Sequence, residues 1–418
     1  MPVKLSSAGG GSVTLDTPST ASNYTVTLPA ANATLADTSS TQTLTNKTLT
    51  AAGSNTVEAT SGPTSSQLAG NRNKIINGAM MIDQRNAGAS VTPVGGDYTL
   101  DRWQCFGNQP SKYTVQQNAG SIIPPAGFAK YFGVTSTSAY TVLSGDYFLI
   151  RQTIEGLNCF DLAWGTISAT TVTLSFWVRS SLTGTFGGSV QNAGQTRSYP
   201  FTYVISSANT WTYITVTIPG ETTGTWLTTN GAGILLNIGL GVGSTYSGAA
   251  GSWSSNVYLS ATGATSVVGT NGATFYITGV QLEKGATATP FENRLYGAEL
   301  ALCQRYCVNY NSANASNTYF TYGYGSNITT TRQDYAPNFP VQMRVTPSLT
   351  TTGTASNYAI YQATTGTISC SAVPYIAAGS FVSCQIISTT AGSLTAGQCT
   401  SLISNSNNTS YLLFTAEL

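Results

Sequence analysis

Alternating side chains in the middle of the chain set the class of fold. Residues 172–178 and 211–218 interleave β-branched or aromatic side chains with Thr and Ser at period two, and residues 148–154 and 274–282 repeat the pattern. Turns rich in Gly and Ser separate these stretches, which carry no helical periodicity. Because period-two alternation lines the two faces of a strand, we predict an all-β fold in which residues 71–294 form a two-sheet antiparallel sandwich.

Aromatic residues divide the chain into three segments. Residues 1–70 contain one aromatic, Tyr24, and their short alternating pieces hold too little apolar surface to offset chain entropy alone. We expect this segment to order by pairing with other copies or by docking on another protein; a flexible linker is the alternative. All six tryptophans lie between Trp103 and Trp253. Residues 295–418 lack tryptophan but are rich in tyrosine, and we predict a β-rich domain there, opened by one short helix.

That helix is predicted over residues 295–306, with Asn293 as its cap. Apolar residues spaced 4-3-4-3 form one seam along it, as in a coiled coil, and are predicted to mediate oligomerisation: Tyr296, Leu300, Cys303, Cys307 and Tyr310. Two heptads are short for a coiled coil, so packing of the helix on its own sheet is the alternative.

Scarcity of charge excludes several functions. Only 7% of the residues are charged, the net charge is +1, and there is no histidine. The electrostatic attraction for nucleic acids and anionic membranes is therefore missing, and no apolar run is long enough to cross a bilayer. Without histidine, Ser-His-Asp and Cys-His nucleophiles and His-bearing metal sites are impossible. We predict no nucleic-acid partner, no membrane insertion, no cofactor and no metal site, with a bound Ca²⁺ left open.

The seven cysteines are odd in number and irregularly spaced. Such a set does not predict a disulfide framework, and it fits assembly in a reducing cytosol. Cys303 and Cys307 are spaced so that they could share a helix face as metal ligands, but the preferred interpretation is that they are small buried apolar residues.

Parts of the sequence resemble known viral proteins. Gly-Ser-Val-Thr-Leu at 11–15, Asn-Tyr-Thr-Val-Thr-Leu-Pro-Ala at 23–30 and Thr-Leu-Thr-Asn-Lys-Thr-Leu-Thr at 43–50 look like the N-terminal stretch of bacteriophage tail fibres. Asn-Gly-Ala-Met at 77–80 and Tyr-Thr-Leu-Asp-Arg-Trp at 98–103 are similar to the start of a β-sandwich module of phage tail proteins.

Further motifs extend the resemblance along the chain. Leu-Ser-Phe-Trp-Val at 174–178 and Thr-Gly-Val-Gln-Leu-Glu-Lys-Gly at 278–285 resemble jelly-roll carbohydrate-binding modules. Cys-Gln-Arg-Tyr at 303–306 and Pro-Val-Gln-Met-Arg at 340–344 recur in fibre tips.

The resemblance implies a jelly-roll sandwich within a homotrimeric tail fibre, assembled in the host cytoplasm and carried on the virion. Residues 1–70 would attach to viral tail proteins, and the distal part would recognise a glycan or protein of the host surface. A purely structural tail component without receptor contact is an alternative.

Sugar recognition needs flat aromatic faces for C–H surfaces and amides or carboxylates for hydroxyls. Two regions offer both, one in the sandwich and one in the distal domain; their candidate residues are Tyr246, Trp253 and Tyr258, then Tyr319, Tyr322, Tyr324, Asn327, Asp334 and Tyr335. Alternation within 319–324 means that some of these tyrosines must be buried or lie at a subunit interface, so trimer packing is the competing interpretation.

An enzyme is the other alternative, since some phage fibres cut the glycan that they bind. A depolymerase would need two carboxylates about 5–10 Å apart. The acidic residues of the middle segment stand in no recognisable motif, and we expect no catalysis from them: Asp146, Glu155, Asp161 and Glu221.

Overall fold

The structure, a computed structural model, describes residues 3–6, 9, 12–15, 72–314 and 319–418. Met1–Thr60 and Ser61–Leu418 form two compact units. In the first, β1 (Val3–Ser6) pairs antiparallel with β2 (Ser12–Leu15). Apart from Gly9, the rest of the predicted tail-docking segment, up to residue 70, lies outside the described residues.

The second unit begins with the strands of a sandwich. In chain order they are β3 (Asp97–Leu100), β4 (Trp103–Gly107), β5 (Tyr113–Gln117), β6 (Phe132–Ser136), β7 (Tyr147–Glu155), β8 (Val172–Ser180), β9 (Gly184–Asn192), β10 (Ser198–Ile205), β11 (Thr212–Ile218), β12 (Ala232–Val242), β13 (Ser247–Gly248), β14 (Ser260–Ala261) and β15 (Thr274–Lys284).

Two antiparallel sheets of these strands face each other. One has six strands in the order β10-β9-β12-β7-β4-β3, and the other has five in the order β11-β8-β15-β6-β5. The short strands β13 and β14 pair in parallel beside them. The predicted all-β fold with a sandwich of jelly-roll type is confirmed.

Alternation along each strand builds the core between the sheets. On β8, Phe176 and Val178 are fully buried, whereas Trp177 between them is only partly buried on the opposite face. Leu236 and Ile238 of β12 belong to the same buried cluster. Each such aliphatic or aromatic side chain contributes about 1.5–3 kcal/mol by its removal from water.

The distal part opens with helix α1 (Tyr296–Gln304). Its strands are β16 (Cys307–Asn311), β17 (Thr321–Asn327), β18 (Arg332–Tyr335), β19 (Ser348–Thr351), β20 (Tyr358–Gln362), β21 (Gly366–Ser369), β22 (Tyr375–Gly379), β23 (Cys384–Thr389), β24 (Cys399–Ser404) and β25 (Tyr411–Thr415). They form a three-stranded sheet, β16-β25-β19, and a seven-stranded sheet, β21-β20-β24-β17-β18-β23-β22. The short helix and β-rich domain that the sequence predicts are therefore present.

The helix packs on its own chain. Leu295, not Asn293, precedes it as the cap, and no side-chain hydrogen bond caps it. Cys303 is buried in a cluster with Tyr306, Ile76 and Ile82. Ile76 and Ile82 precede β3 and belong to no strand, so in this cluster the helix packs within the protomer against a loop and not on its own sheet, as the alternative prediction had it.

The predicted coiled-coil seam is corrected at three of its five residues. Cys303 and Cys307 are buried inside the chain, and Tyr310 packs edge-on against Phe414. Because the helix ends at Gln304, Cys307 and Tyr310 lie on β16 and leave the helical face. Tyr296, at 60% exposure, and the half-buried Leu300 remain on the helix surface.

Buried ion pairs join the sandwich to the distal part. The Glu155 carboxylate accepts from Arg305 at 2.6 and 2.9 Å and from the Tyr306 hydroxyl. Glu417 pairs with Arg85 at 2.8 Å and with Arg102. Paired charges of this kind hold their geometry because separation would leave a charge unpaired in the interior.

Candidate functional site

The outer face of the seven-stranded sheet exposes three tyrosines. Tyr324 is 74% exposed, and Tyr361 and Tyr375 are each 48% exposed. Tyr361 and Tyr324 both pair with Ser401 of β24, one from each side, so they lie on the same face about 10 Å apart.

Register connects Tyr375 to the same face. Ser326, two residues after Tyr324, pairs with Asp334, which in turn pairs with Ile387, and Ile387 pairs with Tyr375. Residues directly opposite each other, and those two apart on one strand, share a face. We call this surface, defined by Tyr324, Tyr361, Tyr375, Asp334 and Gln385, the tyrosine face.

Polar groups on the tyrosine face are held in fixed positions. Arg332 donates two hydrogen bonds to the Asp334 carboxylate, at 2.6 and 2.7 Å, and Gln385 Nε2 donates a third at 2.6 Å. The hydrogen bonds from Arg332 hold the pKa of Asp334 below its usual value, and the same contact raises the pKa of Arg332. The surface therefore presents exposed aromatic rings beside an ionised carboxylate and an amide.

Local sequence explains why Tyr324 projects outward. A β-bulge between Thr321 and Gly323 interrupts the alternation of β17. The Tyr335 ring packs against Gly323 on the inner face, where a Cβ at Gly323 would approach that ring to 2.2 Å. The bulge places Tyr322 in the core and leaves Tyr324 on the exposed side.

Three predicted contact residues of the distal domain are corrected to the interior. Tyr322 is buried and its hydroxyl donates to Ser410 Oγ at 2.6 Å. Asn327 donates to Gln362 Oε1 at 2.9 Å, deep in the sheet. Tyr335 is also buried, so none of the three can meet a ligand at the surface.

The remaining distal candidates are at the surface. Tyr324 and Asp334 belong to the tyrosine face, and Tyr319 is 48% exposed. No sequence pattern singled out Tyr361, Tyr375 or Gln385. Their strands are distant from Tyr324 along the chain, and sequence signals do not specify which strands pair.

The sandwich candidates lie apart from the seven-stranded sheet. Tyr246 packs edge-on against Tyr147, with ring centroids 5.5 Å apart. The Tyr258 hydroxyl accepts from Asn256 Nδ2 at 2.8 Å. Both are half-buried.

Trp253 belongs to an aromatic cluster. Its ring lies 5.4 Å from that of Trp164 and 5.7 Å from that of Trp226, and its Nε1 donates to Pro219 O at 2.9 Å. This candidate contact residue is partly buried and packs against the sandwich core.

Carboxylates of the middle segment are engaged in structural contacts. Asp146 accepts from the Tyr140 hydroxyl at 2.7 Å. Ion pairs hold the other three, Glu155 with Arg305, Asp161 with Lys74 and Glu221 with Arg197. In the described part of the chain, no three Cys, Asp or Glu side chains gather as a metal site, and no helix has the length and apolarity of a membrane span.

Comparison with known proteins gives distant likenesses. No family model matches the chain, and no curated protein matches its sequence. Tailspike protein 4 of bacteriophage CBA120, in its enzymatically active domain, aligns over 51% of this chain and 22% of its own, at 15% identity and a TM-score of 0.28. This chain thus spans about a fifth of that tailspike chain.

Two carbohydrate-related structures align over similar lengths. A putative sugar binding protein from Bacteroides thetaiotaomicron aligns over 51% of this chain and 100% of its own, at 13% identity and a TM-score of 0.30. A xylan-binding domain from Paenibacillus barcinonensis aligns over 49% and 99%, at 11% identity and a TM-score of 0.25.

Proposed function

We propose that this chain is the subunit of a homotrimeric viral tail fibre that attaches the virion to a host-surface glycan through the tyrosine face. The exposure of Tyr324, Tyr361 and Tyr375 on one rigid sheet face carries this proposal. A cell-surface protein is the alternative receptor, since tyrosine-rich surfaces also serve protein recognition.

Chemistry of the face suits a sugar ring. Tyrosine rings offer flat apolar surfaces for sugar C–H groups. The ionised Asp334 carboxylate accepts hydrogen bonds from hydroxyls, and the Gln385 amide beside it supplies further polar groups. Binding of this kind needs no titrating group, and we assign the chain no catalytic role.

Assembly completes the proposed function. Three copies present three tyrosine faces, so weak contacts add through effective concentration. Residues 1–70, whose sequence resembles fibre N-termini, dock on viral tail proteins. The fibre assembles in the host cytoplasm and acts on the virion.

The test is competition of the purified full chain with virus for adsorption to host cells. We expect replacement of Tyr324 or Tyr375 by Ala to remove about 0.5–1.5 kcal/mol of binding free energy that the aromatic ring contributes. This corresponds to an approximately two- to tenfold loss of blocking potency for each variant. Tyr213→Ala, at a 43% exposed tyrosine of the sandwich, is the matched control. Native mass measurement on each variant should give a trimer.

Three outcomes would contradict parts of this proposal. Unchanged blocking by both tyrosine variants would remove the tyrosine face as the site. A stable monomer would exclude the trimer. New reducing ends on incubation with host polysaccharide would identify a depolymerase instead.

A further inference from the structure

Arg151 lies on the outer face of the six-stranded sheet. It belongs to an inner strand, β7, whose neighbouring residues Phe148 and Ile150 point into the sandwich core. Register places Arg151 between Gln104 of β4 and Asn237 of β12, which pair with it directly from either side. Because residues paired directly across strands share a face, these three side chains lie in one row. The row is separate from the tyrosine face, which belongs to the seven-stranded sheet.

The Arg151 side chain is 9% exposed and is held in place by its neighbours. Its Nε donates to Asn237 Oδ1 at 2.7 Å, and its guanidinium carbon lies 4.5 Å from the ring centroid of Phe106. The Asn237 amide is itself fixed, because its Nδ2 donates to Ser189 Oγ at 3.0 Å and to Gln191 Oε1 at 2.9 Å. The orientation of the guanidinium is therefore set by the protein before a ligand binds.

The two terminal nitrogens of Arg151, Nη1 and Nη2, remain available to a ligand. In the described part of the chain neither of them makes a hydrogen bond or an ion pair, and neither is sealed from solvent. Burial lowers the pKa of Arg151 to about 10, so the guanidinium is still charged at neutral pH. A buried cation without an acidic partner favours an anionic ligand, which would supply that partner.

No acidic group of the protein competes for this guanidinium. Besides burial, only the hydroxyls of Tyr98 and Tyr147 influence the pKa of Arg151, so no carboxylate lies close enough to neutralise it. The acidic groups and the terminal backbone oxygen on this side of the molecule have other partners: Glu155 has Arg305, Glu417 has both Arg85 and Arg102, Asp97 has the Val94 N–H, and Leu418 O has the Tyr98 hydroxyl. A ligand anion at Arg151 would thus displace no internal ion pair.

Two further polar atoms beside Arg151 are accessible and unpaired. Gln104 Nε2 donates to Gly96 O at 2.7 Å, which fixes the amide and leaves Oε1 open to solvent without a partner among the described residues. The Tyr147 hydroxyl, on the same face of β7, is in the same state, and its ring packs edge-on against Tyr246. We call the group formed by Arg151, Gln104 and Tyr147 the arginine site.

The chemistry of the arginine site selects the class of ligand. Because the guanidinium is planar, its two free terminal nitrogens match the two oxygens of a carboxylate, with one hydrogen bond to each. Hydroxyls of the same ligand can donate to Gln104 Oε1 and accept from the Tyr147 hydroxyl. A uronic acid, which is a sugar that carries a carboxylate, has both kinds of group on one ring.

We propose that the arginine site is a second binding site of this protein, which takes the carboxylate of an acidic sugar unit. The site differs from the tyrosine face in its sheet and in the charge of its ligand, and it does not depend on that face.

The test is calorimetric titration of the full chain with the methyl glycosides of glucuronic and galacturonic acid, each compared with its neutral parent, methyl glucoside or methyl galactoside. Glucose 6-sulfate is the anionic sugar without a carboxylate. We expect saturable binding of at least one uronate, about tenfold tighter or more than that of its neutral parent, because the hydrogen bonds at Arg151 are made to a charged group.

Variants of the arginine site separate its role from that of net charge. Arg151→Gln, which removes the cation, should weaken uronate binding about tenfold or more. Gln104→Glu, which places a like charge beside the ligand carboxylate, should also weaken it. Arg179→Gln is the matched control, because Arg179 lies on β8 of the other sheet with its guanidinium 5.9 Å from the ring centroid of Tyr276. It should bind uronate as the parent does.

Several results would overturn the proposal. They are the absence of uronate binding, equal binding of the neutral parent, tighter binding of glucose 6-sulfate, and an equal loss in Arg179→Gln. Parent-like binding by both Arg151→Gln and Gln104→Glu would also overturn it. Thermal unfolding checks that each variant is folded, and Gln104→Glu decides the matter if Arg151→Gln is not.

Failure of the arginine site and failure of the tyrosine face are distinguishable. Tyr324→Ala should leave uronate binding unchanged, because Tyr324 lies on a different sheet. The effect of Tyr324→Ala on adsorption is measured separately, and it stands whether or not a uronate binds at Arg151.

Discussion

Two glycines and one tyrosine decide which ring of β17 reaches the surface. A Cβ at Gly323 would lie 2.2 Å from the Tyr335 ring, and one at Gly325 would lie 2.1 Å from Asp334 O. Neither glycine has a positive φ, so what it supplies is space. Tyr335 fills that space on the inner face, and Tyr324 projects from the other face.

Gly323→Ala should therefore destabilise the protein. The added methyl group must displace the buried Tyr335 ring, and overpacking of this kind costs about 1–3 kcal/mol. Gly145→Ala is the matched control, because a Cβ there meets nothing within 4 Å. Urea unfolding of both variants measures the difference in the free energy of unfolding; equal midpoints would show that Tyr335 moves without cost.

At the scale of the element, the seven-stranded sheet brings distant strands to one surface. β20 and β17 are joined through β24, and β22 is joined through β23 and β18. The tyrosine face exists because of this order, since no single strand carries more than one of its exposed tyrosines. The charged side chains of β18, the neighbour of β17, are those of the ion pair between Arg332 and Asp334.

Binding at the tyrosine face should not depend on pH between about 5 and 8. The folded pKa of Asp334 is lowered, so its ion pair is present above the unfolded value of 3.8 and is lost only as pH falls through the lower folded value. The hydrogen bonds to Asp334 raise the pKa of Arg332 above its usual value, so its charge also persists.

Adsorption measured across that range checks this expectation. The chain contains no histidine that could titrate there. A sigmoidal change in blocking potency between pH 5 and 8 would mean that binding is controlled by a titrating group outside the tyrosine face, either on this protein or on the receptor. Measuring the binding of an unrelated protein to the same cell surface over the same pH range separates these two cases.

At the scale of the whole second unit, buried charges connect the sandwich to the distal part. Glu155 is fully buried on β7, yet its partners Arg305 and Tyr306 come from the segment after the helix. The Arg102 guanidinium also lies 3.7 Å from the Tyr306 ring centroid. These contacts explain why the sandwich and the distal part form one compact unit.

Glu155→Gln should weaken this connection. Loss of the buried negative charge leaves Arg305 without its ion-pair partner, a change that costs about 2–4 kcal/mol. Asp161→Asn is the control. The Asp161 side chain remains 38% exposed in its ion pair with Lys74, so loss of that pair should lower the free energy of unfolding by less than about 1 kcal/mol. Urea unfolding of both variants measures the two decreases in the free energy of unfolding. Equal decreases for Glu155→Gln and Asp161→Asn would contradict a special role for the buried pair.

Local patterns in the sequence determined the class of fold. Alternation along residues 172–178 was enough to predict a strand there, because the side-chain period of a strand is a local property. The same reasoning located the distal helix to within two residues at its C-terminal end. It also predicted that some of the tyrosines in 319–324 must be buried.

Only the tertiary structure decided which residues meet. A bulge separated the environments of Tyr322 and Tyr324, and the end of the helix at Gln304 took Cys307 and Tyr310 off the predicted seam. Strand register joined Tyr324 with Tyr361 and Tyr375. The physical reason is that register and docking depend on packing between segments far apart in the chain, whereas alternation depends on neighbours alone.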